Sequence, residues 1–588
     1  MGLETKVCGV RPLAALAVLT LLVLALTLPG LRTIPVTDRD EARYAQASRQ
    51  MLESGDYVQI RFLEEPRNKK PAGIYWLHTL SVRLTGLKDE ILPYRLVSVA
   101  GVLLAVWLVY ALARRILPGE ALLPALAFAA SPLLIAEAHA ATTDAMLLAT
   151  VCAAQLSLAR LYLDGPDGRP SLMAALGFWV ALGAGILIKG PLTPVIAGLT
   201  ILTLCLYERD VRWLRALRPA LGVPLLLLIV LPWLVAIQSK TSFLQDSVGK
   251  DFLAKVKEGK ESHGAPFGAY LAAAGFLFWP LFPLAWRGLG AAWRTRREDR
   301  TGRFLLAWLI PSWLVFELAP TKLPHYVLPL YPVLAFLAVR GCTAWAADAA
   351  GGEPGGWRGR LWQVTCRIMD AVWFVAAAGF VVGPVLAARL LGGAWDPTAL
   401  VAGVAAGVAA VCAWRGRRSQ GAAVLAAAGF ALVFFPLLLG LVAPRLADFW
   451  LTRRVAAMVA RAAPEPPARI VSIGYTEPSV AFAFGSRTVL TGGVERAVRE
   501  LQQNPAALVL IQDAAAVPPR LLPVSEKLWH KWTKSLTLSA KQCHRERFLA
   551  AADAAGLRVR EVAAEEGLNY TRGKRVRVIL YRREGGAP

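Results

Sequence analysis

Cysteine is scarce, with seven in 588 residues. None falls in a CxxC or at a metal-ligand spacing, and only Cys543 lies outside the bilayer and cytoplasm on the topology derived below, which excludes a disulfide framework. Acidic residues are also in short supply. Asp and Glu number 41 against 65 Lys and Arg, a net charge of +24. That excess fits either a nucleic-acid binder or a membrane protein whose cytoplasmic loops carry it. Inverted repeats in the hydrophobic pattern and low-complexity tracts beyond Ala/Leu enrichment are missing too, which gives no support to a repeat-built transporter. What the chain does have is apolar length. Apolar residues make up 56% of it and the mean hydropathy is +0.47, too high for a soluble protein of this size.

Thirteen apolar runs of membrane-spanning length lie between Leu13 and Val442. Lys6 and Arg11 flank the first run, which predicts a cytoplasmic N-terminus and basic even-numbered connections. The arginines obey this. Arg114 and Arg115 follow the second run, Arg209, Arg212, Arg215 and Arg218 the sixth, and Arg287, Arg294, Arg296, Arg297, Arg300 and Arg303 the eighth. Arg358, Arg360 and Arg367 follow the tenth, and Arg415, Arg417 and Arg418 the twelfth. The basic excess is thus accounted for without nucleic acid. The first run continues to Leu31 with no small-x-small cleavage site and is expected to be a retained helix rather than a signal peptide.

Two connections are too long to be simple loops. The first, residues 32–93, contains a predicted helix at Asp40–Ser54, with Asp38 or Asp40 as N-cap, and an interfacial helix at Ile74–Leu84. The second, from Gln238 to about Pro266, is polar and carries Lys250, Lys255, Lys257, Lys260 and His263. Beyond Val442 the pattern becomes mixed, with strands predicted at Arg469–Gly474, Leu508–Ile511, Leu557–Val562 and Arg575–Tyr581. Helices are predicted at Val494–Gln503 and Arg545–Ala555. The expected architecture is an all-α polytopic membrane protein of about 13 transmembrane helices over residues 1–444, followed by a small α/β domain over 445–588 on the outer side.

The ionisable residues gather on one face. Asp40, Glu41, Arg43, Lys69, Lys70, Asp144, Lys189, His263, Lys322 and His325 all fall at or beyond the outer ends of helices. A transporter would be expected to place such groups near the bilayer midplane, whereas an enzyme acting on a lipid-linked substrate needs them at headgroup depth. Several also have a plain structural reading. Asp40 and Asp144 suit the first turn of a helix, Lys70 and Lys189 suit interfacial lysines reaching toward water, His263 suits a solvated loop, and Tyr326 suits an interfacial aromatic.

Taken together the strings resemble a family, the polyprenyl-phosphate-dependent glycosyltransferases of the GT-C fold, nearest to the 4-amino-4-deoxy-L-arabinose lipid A transferases and related to protein O-mannosyltransferases. Asp40-Glu41-Ala42-Arg43-Tyr44-Ala45 is similar to the first-loop signature, and Lys70-Pro71 with Tyr75-Trp76-Leu77 to its Lys-Pro-Pro…Tyr-Trp-Leu segment, although Ala72 replaces the second proline. Thr143-Asp144-Ala145, Lys189-Gly190-Pro191 and the string from Lys322 to Pro329 are similar to later signatures. The resemblance implies an inverting transfer of a sugar from an undecaprenyl (polyprenyl) phosphate donor, on the periplasmic side of a bacterial inner membrane, to lipid A, another envelope glycan or a protein. Asp40 and Asp144 are then the catalytic pair. Lys70, Lys189, Lys322 and Tyr326 hold the donor phosphate, and Glu41, Arg43, Tyr44, His263 and His325 contact substrate. No cofactor, metal or nucleic acid is expected, and membrane lipids surround the chain. A polyprenyl-phosphate or lipid transporter is the competing class, and a protein O-glycosyltransferase of the same fold the competing enzyme.

Overall fold

A computed structural model describes residues 11–164, 171–252, 265–349, 356–463, 469–514 and 544–585. Among the described residues nine helices are long and apolar enough to cross a membrane, from Leu92–Ile116 to Gln420–Arg445, and Pro12–Thr27 and Leu192–Glu208 are shorter apolar helices. Two further apolar segments are broken. Ser131-Pro132 separates Leu122–Ala129 from Pro132–Ala138, and a turn at Trp279-Pro280 separates Ala269–Leu277 from Phe282–Thr295, since proline cannot donate to the preceding turn. The protein is therefore a multi-pass membrane protein. Its outer helices turn apolar side chains outward, as Pro219–Lys240 does with Leu228 (71% exposed) and Val235 (64%), the pattern that lipid rather than water accommodates.

The two ends of the bundle differ in chemistry. At one end Arg115 pairs with Asp164, Arg303 with Glu208 at 2.5 Å and Arg340 with Asp299 at 2.5 Å, and Arg300 donates to the Tyr162 carbonyl. These pairs join the C-termini of Leu92–Ile116, Asp144–Leu163 and Leu192–Glu208. Asp144, at the opposite end of its helix, belongs to the other end of the bundle, where the first loop lies.

That loop is built from the helix Asp40–Ser54, a short hairpin of β1 (Arg61–Phe62) and β2 (Glu65–Pro66), and the helix Gly73–Thr85. A buried knot ties its first helix to the bundle. Glu41, 2% exposed, takes the Arg95 guanidinium in a two-point pair at 2.7 and 2.9 Å, and its oxygens also accept from the Thr37 and Ala141 backbone N–H groups and the Thr37 hydroxyl. Arg95 spends its remaining donors on the Leu31, Ile34 and Pro35 carbonyls. Burial raises the Glu41 pKa, but Arg95 and these hydrogen bonds outweigh it and hold the carboxyl below its usual value. Close backbone approach fixes the neighbouring helix start, because a Cβ on Gly101 would lie 2.7 Å from the Ala145 carbonyl carbon.

The C-terminal part is a five-stranded sheet in the order β4-β3-β5-β7-β6, with β3 Ile470–Ile473, β4 Val489–Thr491, β5 Leu508–Ala514, β6 Val559–Asn569 and β7 Lys574–Arg583. β3 runs parallel to β4 and β5, whereas β7 runs antiparallel to β5 and β6. One face packs on Val494–Gln503 and His544–Ala554, the other on Leu451–Ala462. The short helix Pro478–Phe484 after β3 sits on the first loop and the start of Leu92–Ile116, where Phe482 meets Tyr94 edge to face in a shared apolar cluster with Ala45, Val82 and Ile91.

Candidate active site

A cavity of about 500 Å³ opens between the first loop and the helix ends beneath it. Its upper half is polar. Asp38, Asp40, Arg43 and Tyr44 enter from the start of the first-loop helix, Arg67, Lys69 and Lys70 from the loop that follows the hairpin, and Glu137, Asp144, Lys189, His325 and Tyr326 from bundle ends. Its lower half is an apolar slot lined by Leu192, Val195, Ile196 and Leu199 on one helix and Val315, Phe316 and Ala319 on another. Val195 and Val315, 38% and 44% exposed, stand at the outer edge of that slot.

Asp40 opens its helix without capping it. The N-cap is Arg39, which makes no side-chain cap hydrogen bond, and Asp38 instead accepts from the Ser479 backbone N–H at 3.1 Å in the C-terminal part. The Asp40 carboxylate is about half exposed, facing Arg43 at 3.8 Å. Asp144 lies deeper, with Lys189 at 2.6 Å and His325 at 4.0 Å, and His325 also faces Glu137 at 3.6 Å. The Lys189 ammonium lies 5.4 Å from the centre of the Tyr326 ring. Acid and base therefore alternate along a largely shielded chain, Glu137, His325, Asp144 and Lys189, that ends at the Tyr326 ring. Across the cavity the buried Arg67 donates to the Tyr75 hydroxyl at 3.2 Å and lies over the Tyr44 ring at 5.2 Å, keeping a fixed cation in the cavity that Lys70 also lines.

Most of the residues singled out from the sequence thus meet in one place, with three departures. Glu41 reaches the cavity wall, but both of its oxygens are taken up by Arg95, Thr37 and Ala141, which ties the loop to the bundle. Lys322 donates to the Ala319 and Ala265 carbonyls at 3.1 and 3.4 Å and is not part of the cavity lining, although Thr321 and Leu323 beside it are. Its ammonium is turned to the carbonyl end of the helix Arg300–Leu318 rather than into the cavity. His263 lies outside the described residues. Sequence reasoning missed Asp38, Arg67 and Glu137 as site residues. Glu137 had a signal, a lone acid in an otherwise apolar run.

Residues 69–235 match the sequence model of a family described as dolichyl-phosphate-mannose-protein mannosyltransferase. An undecaprenyl phosphate-alpha-4-amino-4-deoxy-L-arabinose arabinosyl transferase of Edwardsiella ictaluri is 31% identical over 325 residues, 55% of this chain and 58% of the relative. One from Pseudomonas aeruginosa is 32% identical over 304 residues, 51% and 54% of the two chains. The match spans only about half the length of these relatives. In fold the likeness extends over nearly the whole chain. ArnT from Cupriavidus metallidurans bound to undecaprenyl phosphate superposes with a TM-score of 0.66 at 20% identity, over 96% of this chain and 97% of that one. An apo oligosaccharyltransferase from Archaeoglobus fulgidus gives 0.51 at 11% identity, over 87% and 70%. The fold is accordingly that of the ArnT structure. The sequence resembles the undecaprenyl-phosphate-dependent 4-amino-4-deoxy-L-arabinose transferases.

Proposed function

We propose that the protein is an inverting glycosyltransferase of the bacterial inner membrane that moves 4-amino-4-deoxy-L-arabinose from undecaprenyl phosphate to lipid A at the outer face. The observation that carries this reading is the continuity of one cavity from a cationic and acidic upper half to an apolar slot between two helices, the shape of a charged headgroup on a long prenyl tail. The names of the relatives supply the sugar, the carrier and, through the resemblance, the acceptor.

The chemistry asked of the residues is modest. An acceptor oxygen forms a bond to the anomeric carbon while the bond from that carbon to the phosphate oxygen breaks, its electron pair leaving with the undecaprenyl phosphate, and configuration inverts. Lys70, Lys189 and Tyr326, with Arg67 and Arg43 nearby, stabilise the charge that grows on the phosphate. Asp40 takes the proton of a hydroxyl acceptor, and Asp144 orients Lys189. An acceptor that is itself an ionised phosphate needs no base, and Asp40 then acts by positioning. The acid groups in the same cavity disfavour a mere phosphate pathway, since like charges repel. A protein acceptor is the second reading, favoured by the mannosyltransferase family that matches residues 69–235.

Purified protein in detergent, given undecaprenyl-phosphate-linked 4-amino-4-deoxy-L-arabinose and lipid A, should yield glycosylated lipid A by mass spectrometry. Donor that binds and stays intact with lipid A and with protein acceptors would overturn the proposal.

A further inference from the structure

Among the described residues, the C-terminal part meets the candidate active site at the turn before Asp40. The β6–β7 hairpin and the loop after β3 close over the Asp38-Arg39-Asp40 turn. The Asp38 backbone N–H donates to the Tyr570 hydroxyl at 2.5 Å, while the Asp38 carboxylate accepts from the Ser479 N–H. Arg39 donates to the Thr571 carbonyl at 3.4 Å and faces Glu477 at 3.9 Å. Neither clamping residue is free to drift. The Tyr570 ring stacks on Phe449 with centroids 4.2 Å apart and planes 8° from parallel. Glu477 is 2% exposed and accepts from Asn569 and Thr571 at 3.1 and 2.8 Å, with Arg572 at 3.4 Å.

What these contacts hold is an unfavourable backbone. Arg39 has φ 72° and ψ −110°, close to the values of about +60° and −120° at the first central position of a type II′ turn, where glycine is the usual residue. A side chain there is strained, and strain of this kind persists only where the surroundings impose it. Arg39 is followed directly by Asp40, so this turn sets where the Asp40 carboxylate enters the cavity.

We propose that the C-terminal domain is a positioning element of the transfer site, in which Tyr570 and Glu477 hold the Arg39 turn in the conformation that presents Asp40 to the acceptor. The proposal rests on the glycosyltransferase reading of the cavity. Tyr570 and Glu477 are positioning residues; neither touches the reacting atoms.

Arg39→Gly gives the test, because glycine adopts the turn without strain and no longer needs the clamp. Full-length Tyr570→Phe, Glu477→Gln, Arg39→Gly and both doubles are assayed for transfer from undecaprenyl-phosphate-linked 4-amino-4-deoxy-L-arabinose to lipid A, for binding of undecaprenyl phosphate alone, and for thermal unfolding. Tyr570→Phe and Glu477→Gln are expected to lower kcat roughly ten-fold, the release of turn strain of ordinary size, with donor KM, undecaprenyl phosphate affinity and unfolding temperature unchanged. In the Arg39→Gly background the same two changes should lower kcat no further, the signature of coupling through the turn. Unchanged kcat in the single variants overturns the proposal, as does a loss that is equally large in the Arg39→Gly background. Asp40→Asn run alongside separates the two failures. If it loses turnover while the clamp variants do not, the clamp alone is wrong; if it transfers normally, the reading of the cavity fails and takes the clamp with it.

Discussion

Asp38 carries a cost that can be measured. Burial beneath the C-terminal sheet raises its pKa from 3.8 to about 6, only partly offset by the Ser479 hydrogen bonds. The folded protein thus holds this proton more tightly than the unfolded chain. Unfolding stability should fall as pH rises from about 4 to about 6, and the full penalty is present at pH 7 and above. The rise from 3.8 to about 6 corresponds to roughly 3 kcal/mol, an upper figure since the denatured chain is not structureless. Asp38→Asn keeps an oxygen acceptor for the Ser479 N–H but has no proton to lose. Its advantage over the wild type should be near zero at pH 4 and grow to a plateau above pH 6. Thermal unfolding of both proteins in one detergent at a series of pH values reads this difference directly. Parallel curves, or an Asp38→Asn protein less stable at pH 8, would refute the burial argument.

Other expectations follow from the same geometry. Arg95→Met leaves the Glu41 carboxylate buried without its cation and should cost about 3–5 kcal/mol of stability, the usual penalty for breaking a buried pair, seen as a large drop in unfolding temperature. Lys70→Ala removes a cation from the cavity wall and should both weaken binding of undecaprenyl phosphate, read by titration, and lower kcat, because the phosphate gains charge in the transition state. Leu199→Trp fills the apolar slot and should raise KM for the undecaprenyl donor far more than for a short-chain prenyl analogue in parallel transfer assays.

The first loop was legible because its elements are set locally. A run without Pro or Gly from Asp40 to Ser54, stopped by Gly55, gave the helix Asp40–Ser54 with the observed bounds, and Val494–Gln503 was read equally well. Gly73–Thr85 and His544–Ala554 shifted by about a residue at each end, the ordinary uncertainty of helix termini. The helices Leu451–Ala462 and Pro478–Phe484 and the three-residue β4 were not foreseen. Leu451–Ala462 follows a long apolar run and takes its identity from the sheet face that it covers, and β4 is too short to show a period of two. Among site residues, the strings around Asp40, Asp144 and Lys189 carried their own signal. The consumption of Glu41 by Arg95 and the entry of Asp38 beside Ser479 depend on contacts between segments far apart in sequence, which no local pattern encodes, whereas Lys322 leaves the cavity for the Ala319 carbonyl three residues before it, a turn geometry that residue types alone do not give.

Catalysis at the Asp40 end of the cavity is the central claim, and turnover by Asp40→Asn measures it most directly. Asparagine serves equally well near a helix start, so folding and undecaprenyl phosphate affinity should be retained. With a hydroxyl acceptor, transfer should fall by roughly two orders of magnitude or more, the scale of a missing general base. Near-normal transfer by a folded Asp40→Asn protein that binds undecaprenyl phosphate would contradict the account.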